Sequence, residues 1–119
     1  MGLPPSVEVL TLPLVQQRLP LEDVLRVLGE RGANEILVEA GATLAGALIT
    51  AGLVDEIVYY QAAKLLGASA RPLVEMHYDA LAEVPEFTFK HCQLIGDDVR
   101  LTLVPKAKEA HETYVYRHY

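Results

Sequence analysis

The apolar positions change period several times along the chain, and each change predicts an element. Val7-Glu8-Val9-Leu10-Thr11-Leu12 is rich in β-formers and bounded by Pro5 and Pro13, which predicts a short strand of the kind found at a sheet edge. From Pro20 to Arg31, Leu21, Val24, Leu25 and Leu28 recur at spacings of three and four. Glu22 and Asp23 lie in the first turn and Gly32 just past the end, so an amphipathic helix is expected there. Glu35-Ile36-Leu37-Val38-Glu39 is nearly continuous in apolar character, the pattern of a strand covered on both faces.

After Gly41 a second helix is expected from Ala42 to Ala51, stopped by Gly52, with Ala45, Gly46 and Ala47 small enough for close packing. Asp55 to Gln61 then reads as a returning strand. Strand, helix and strand with short connections predict a βαβ unit with parallel strands and a right-handed crossover. Leu65 to Leu81, with Gly67, Ser69 and Pro72 and no clear period, predicts a long surface connection with a turn of helix. Phe87, Phe89, Val99, Leu101 and Leu103 flank Gly96-Asp97-Asp98, which predicts an antiparallel hairpin whose second strand stops at Pro105. The tail, 106–119, has no helical stripe and is read either as disordered or as an extra strand through Tyr114-Val115-Tyr116.

Composition narrows the class. A chain of 119 residues, 51% hydrophobic and 22% charged, has the balance of one folded domain around one core. Its net charge of -6, without a Lys/Arg cluster, argues against nucleic acid as a partner. The single cysteine, Cys92, forms no intramolecular disulfide and reads as a core or strand residue. With no basic-then-apolar leader at the start, this favours a cytoplasmic protein. The apolar stretch Ala40–Val54 is broken by glycines and is too short to cross a bilayer, so no membrane association is expected.

The chemistry is expected where the run ending at Glu39 meets the helix beginning at Ala42. The unpaired amides at a helix start favour an anion, with phosphate the natural guest. Gly41 lets a backbone approach such a guest, Thr43 offers a hydroxyl, and Glu39 brings a carboxylate alongside. On spacing alone, a glycine between a strand and a helix serves equally well as a tight turn that binds nothing.

Val38-Glu39-Ala40-Gly41-Ala42-Thr43-Leu44-Ala45-Gly46-Ala47-Leu48, followed by Gly52-Leu53-Val54-Asp55-Glu56 and Lys64-Leu65-Leu66-Gly67, resembles the C-terminal half of the reductase domain of the bifunctional riboflavin-biosynthesis deaminase/reductase family. The likeness runs from about Val7 to Pro105, so residues 1–105 are expected to be that portion of a pyrimidine reductase domain. It implies an α/β, dihydrofolate-reductase-like mixed sheet, here partial, comprising the βαβ unit and the C-terminal hairpin. It also implies NADPH as cofactor and hydride transfer to the sugar C1′ of 5-amino-6-(5-phosphoribosylamino)uracil. By the same resemblance, Glu39 contacts the phosphoribosylamino-pyrimidine substrate, and Gly41, Ala42, Thr43, Leu44, Ala45, Gly46 and Ala47 hold the dinucleotide. No proton donor is assigned. The chain departs from the family at Ala63, where a proline is common, and in lacking the family's other reductase half. The zinc deaminase signature cannot be built from one cysteine.

His77, His91, His111 and His118 lack metal-site spacing, and Asp55-Glu56 reads as structural because adjacent strand residues face opposite ways. Lys64 and Arg71 are read as solvated cations. High apolar content, with half of the family's reductase domain absent, leads to an expectation of a homo-oligomer. Two functions follow: an NADPH-dependent reductase or reductase part, and a non-catalytic oligomeric protein that keeps the fold without a working site.

Overall fold

The computed structural model describes residues 2–106 of the chain, so the readings of the tail beyond Lys106 lie outside the described residues. Where the sequence suggested a single core, the chain divides into two compact units, Met1–Val38 and Glu39–Tyr119.

The first unit contains one helix, α1 (Leu21–Glu30), close to the span that its apolar spacing predicts. Its stripe of Leu21, Val24, Leu25 and Leu28 is half-buried. On the outer face Arg26 bonds Asp23 at 2.7 Å and Glu30 at 3.4 Å, which raises its pKa, chiefly through the hydrogen bond to Asp23. Past the helix, the Gly32 amide donates to Gly29 and the Ala33 amide to Leu28, closing the last turn. The strand expected at Val7–Leu12 is not formed. An isolated bridge occurs further on, Val15 to Arg18, around Gln16 and Gln17 in the left-handed region. A β-prone run becomes a strand only when a partner pairs with it. Here Val9 stays 66% exposed, and Glu8 is engaged instead by an ion pair with Arg31.

The second unit places α2 (Ala42–Thr50) ahead of a three-stranded sheet made of β1 (Ile57–Ala62), β2 (Phe87–Ile95) and β3 (Asp98–Pro105). The helix ends as its sequence predicts: Gly52, at φ +69°, lets its amide reach Ile49 and the Leu53 amide reach Leu48. The hairpin also forms as predicted. Ile95 pairs with Asp98 around a two-residue loop, and Gly96 at φ +59° supplies the left-handed first position that a type II′ turn needs.

The sheet order is β1-β3-β2, and both pairings are antiparallel. This corrects the predicted βαβ unit. Glu35–Glu39 is in no strand, with Leu37 83% exposed, and β1 pairs Ile57 with Leu103 instead of lying parallel to that run. The apolar pattern was compatible with a strand, but the hydrogen-bond partner of β1 comes from the far end of the chain. The architecture is therefore α/β with an antiparallel three-stranded sheet.

The buried residues among those described are Thr102 and Val104, on one face of β3, and Leu48 and Gly46 on α2. On that sheet face Arg100 lies 5.9 Å from the Tyr60 ring centroid, a cation–π contact across the β1–β3 pair. Tyr59, pointing the other way, is half-buried. Cys92 is a strand residue, exposed on β2 and not in the core. A register shift between Phe89 and His91 marks a bulge, where Lys90 bonds Glu56 at 3.3 Å. Residues 63–80 carry no helix or strand, and a 3-10 turn at Leu81–Glu83 follows, as the sequence predicts for this connection.

Candidate functional site

The helix α2 begins without a side-chain cap. Gly41 occupies the cap position at φ -72° and ψ 174°, ordinary extended backbone, and no side chain accepts from the amides of the first turn. A Cβ built on Gly41 meets no atom within 4 Å. Among the described residues, neither conformation nor packing therefore requires a glycine at this position. Gly46 is the opposite case. It is buried, and an added Cβ would stand 2.1 Å from the Glu75 carbonyl oxygen, so its missing side chain is explained by the chain itself.

Glu75 is a residue that the sequence pattern did not single out. It lies in the connection before β2. Its amide donates to the Ala42 carbonyl at 3.0 Å, and its carboxylate accepts from the Thr43 hydroxyl at 2.8 Å. The available signal was the alternation Val74-Glu75-Met76-His77-Tyr78, in which the apolar members are half-buried and Glu75 and His77 exposed. That marks an extended segment, though not the helix on which it rests.

The expected contact residues divide accordingly. Glu39, Gly41, Thr43 and Leu44 are exposed, Ala42, Ala45 and Ala47 are half-buried, and Gly46 lies under Glu75. Among the described residues Glu39 has no hydrogen bond or ion pair, so its carboxylate is free for an outside partner. The first turn of α2 has no acidic residue of its own. The positive end of the helix thus meets a carboxylate from elsewhere in the chain, that of Glu75 bonded to Thr43, and Glu39 lies two residues before the cap in sequence.

A cavity of about 370 Å³ lies at the other end of α2, lined by Ile49, Gly52, Val54, Pro85, Phe87 and Pro105. The ion pair of Lys106 and Glu86, at 2.7 Å, sits on its wall, and the hydrogen bond from Lys106 holds the Glu86 carboxyl below its usual range. This mainly apolar cavity is separate from the turn at Gly41. No group of three or more His, Cys, Asp or Glu suited to a metal ion occurs among the described residues, and no described helix is long and apolar enough to cross a membrane.

With this geometry in view, comparison with known proteins is decisive for ancestry. The family model described as the RibD C-terminal domain matches residues 4–101. The chain belongs to the RibD C-terminal domain family. It is 46% identical over 102 residues to the riboflavin biosynthesis protein RibD of Escherichia coli, covering 85% of this chain and 28% of that protein. It is 39% identical over 92 residues to a 5-amino-6-(5-phosphoribosylamino)uracil reductase of Buchnera aphidicola, covering 76% of this chain and 44% of the relative. Among solved structures, Acinetobacter baumannii RibD matches with a TM-score of 0.71 at 35% identity, over 74% of this chain and 25% of that one. The chain thus spans between about a quarter and less than half of the length of these RibD-family relatives.

The close approach at Gly46 generates a direct prediction. Gly46→Ala forces its methyl into the Glu75 backbone and should cost about 1–3 kcal/mol. Urea unfolding checks this, and an unchanged midpoint would mean that Glu75 does not rest there.

Proposed function

We propose that this chain is the C-terminal portion, residues 1–105, of a pyrimidine reductase domain that uses NADPH to reduce 5-amino-6-(5-phosphoribosylamino)uracil to its ribityl product. Support comes from membership of the RibD C-terminal domain family and from a relative that carries the name of that reductase. The observation that carries the site is Gly41, a glycine that neither conformation nor packing requires, at the uncapped start of α2. A phosphate bridge can approach the amides of Ala42, Thr43 and Leu44 only while that position lacks a side chain.

In this reading, Gly41, Ala42, Thr43, Leu44, Ala45 and Ala47 form the dinucleotide surface. Gly46, the remaining member of the stretch, acts from beneath by letting the Glu75 segment close against the helix. Glu39, exposed and without a partner among the described residues, accepts hydrogen bonds from the pyrimidine substrate and orients it. Bound NADPH supplies the hydride for the sugar C1′, and the chain's task is to hold the two partners in line. The fold in this reading is the dihydrofolate-reductase-like one, and the protein is cytoplasmic.

The test of the site is a fluorescence titration of NADPH against the pure chain and against Gly41→Asp. Aspartate is a good helix cap, so the variant should fold at least as well while its carboxylate occupies the anion position. Binding by the parent chain and its loss in the variant support the proposal. No binding at millimolar NADPH would favour the non-catalytic alternative.

The same reading includes self-association. Both outer edges of the sheet, on β1 and β2, are unpaired among the described residues, and Phe89 and Leu94 on β2 are 65% and 77% exposed. Open strand edges beside apolar side chains favour pairing with another chain. Light scattering at micromolar concentration should give at least twice the chain mass, and a stable monomer would contradict this part of the proposal.

A further inference from the structure

In the connection from β1 to β2, Glu75 meets α2 at three points. The Glu75 amide bonds Ala42, its carboxylate bonds the Thr43 hydroxyl, and its carbonyl occupies the space that a side chain on Gly46 would fill. Ala42, Thr43 and Gly46 all belong to the stretch proposed to hold the dinucleotide. The contacts lock the helix on one side and leave Gly41 and Leu44 exposed.

We infer that Glu75 is a positioning residue for this stretch: it clamps the first turn of α2, withholds the Thr43 hydroxyl from ligand, and sets anion affinity by its own charge. The inference rests on the dinucleotide reading of the turn. A hydroxyl that donates to a carboxylate has no proton left for a phosphate, so backbone amides remain the donors. The carboxylate also places a negative charge in the first turn, where it stabilises the helix and repels an incoming phosphate. Glu75 thus trades cofactor affinity for order in the turn. Glutamine in its place keeps an acceptor for Thr43 and removes the charge, whereas alanine removes both.

The two substitutions therefore separate the charge from the clamp. Glu75→Gln should bind NADPH about two- to fivefold more tightly than the parent chain at low salt. The difference should shrink near 1 M salt, where the Debye length falls to about 3 Å. Glu75→Ala should speed hydrogen exchange at the amides of residues 45 and 75, which bond Gly41 and Ala42, and Glu75→Gln, which keeps an acceptor for Thr43 and loses only the charge, should speed it less. Exchange unchanged in the alanine variant would overturn the clamp, and glutamine binding no tighter than glutamate would overturn the charge effect. If neither the parent nor the glutamine variant binds NADPH at millimolar concentration, the dinucleotide reading fails and the affinity role falls with it. The exchange measurement still decides the clamp in that case.

Discussion

The second unit depends on one strand that satisfies hydrogen bonds on both sides. β3 pairs with β1 along one edge and with β2 along the other, and it carries the buried Thr102 and Val104. Sheet pairing of this kind removes backbone groups from water without leaving them unpaired, and so fixes the strand in place. The two flanking strands take their register from it. With β1 held at Ile57–Ala62, the short link from Gly52 constrains where α2 ends. The long connection returning to β2 crosses that helix at Glu75, and the turn at Gly41 is positioned at the helix's other end.

Elements governed by near neighbours were legible in the sequence. The helices follow from apolar spacing and terminal glycines, and the hairpin from a glycine between two alternating runs. What failed were statements about partners. Val7–Leu12 and Glu35–Glu39 have strand-like composition, but composition encodes a capacity to pair, and no partner in this structure takes it up. The strand of β1 was correctly placed within two residues, yet its neighbour was not, because Ile57 pairs with Leu103 across most of the unit. An apolar pattern records which residues seek cover and does not record which segment supplies it.

The proposed site rests on fewer signals. Glu39 and the stretch from Gly41 to Ala47 were reached through a family resemblance, and the structure adds a distinction the sequence could not make. Gly46 is small because the chain's own backbone passes over it, whereas a side chain on Gly41 would meet none of the described residues. Glu75 was missed because its role arises from a contact between residues 32 positions apart, Thr43 and Glu75, in a segment with no regular element. Its alternating neighbours showed an extended chain, and only folding brings that chain to the helix.

The central claim is that the uncapped amides at the start of α2 receive a dinucleotide phosphate. It is most directly tested by following every backbone amide by NMR while NADPH is added to the isotopically labelled chain. The account predicts the largest shifts at Gly41, Ala42, Thr43 and Leu44, with smaller ones reaching Glu39. Shifts gathered instead around Ile49, Val54 and Phe87, at the opposite end of the helix, would contradict it.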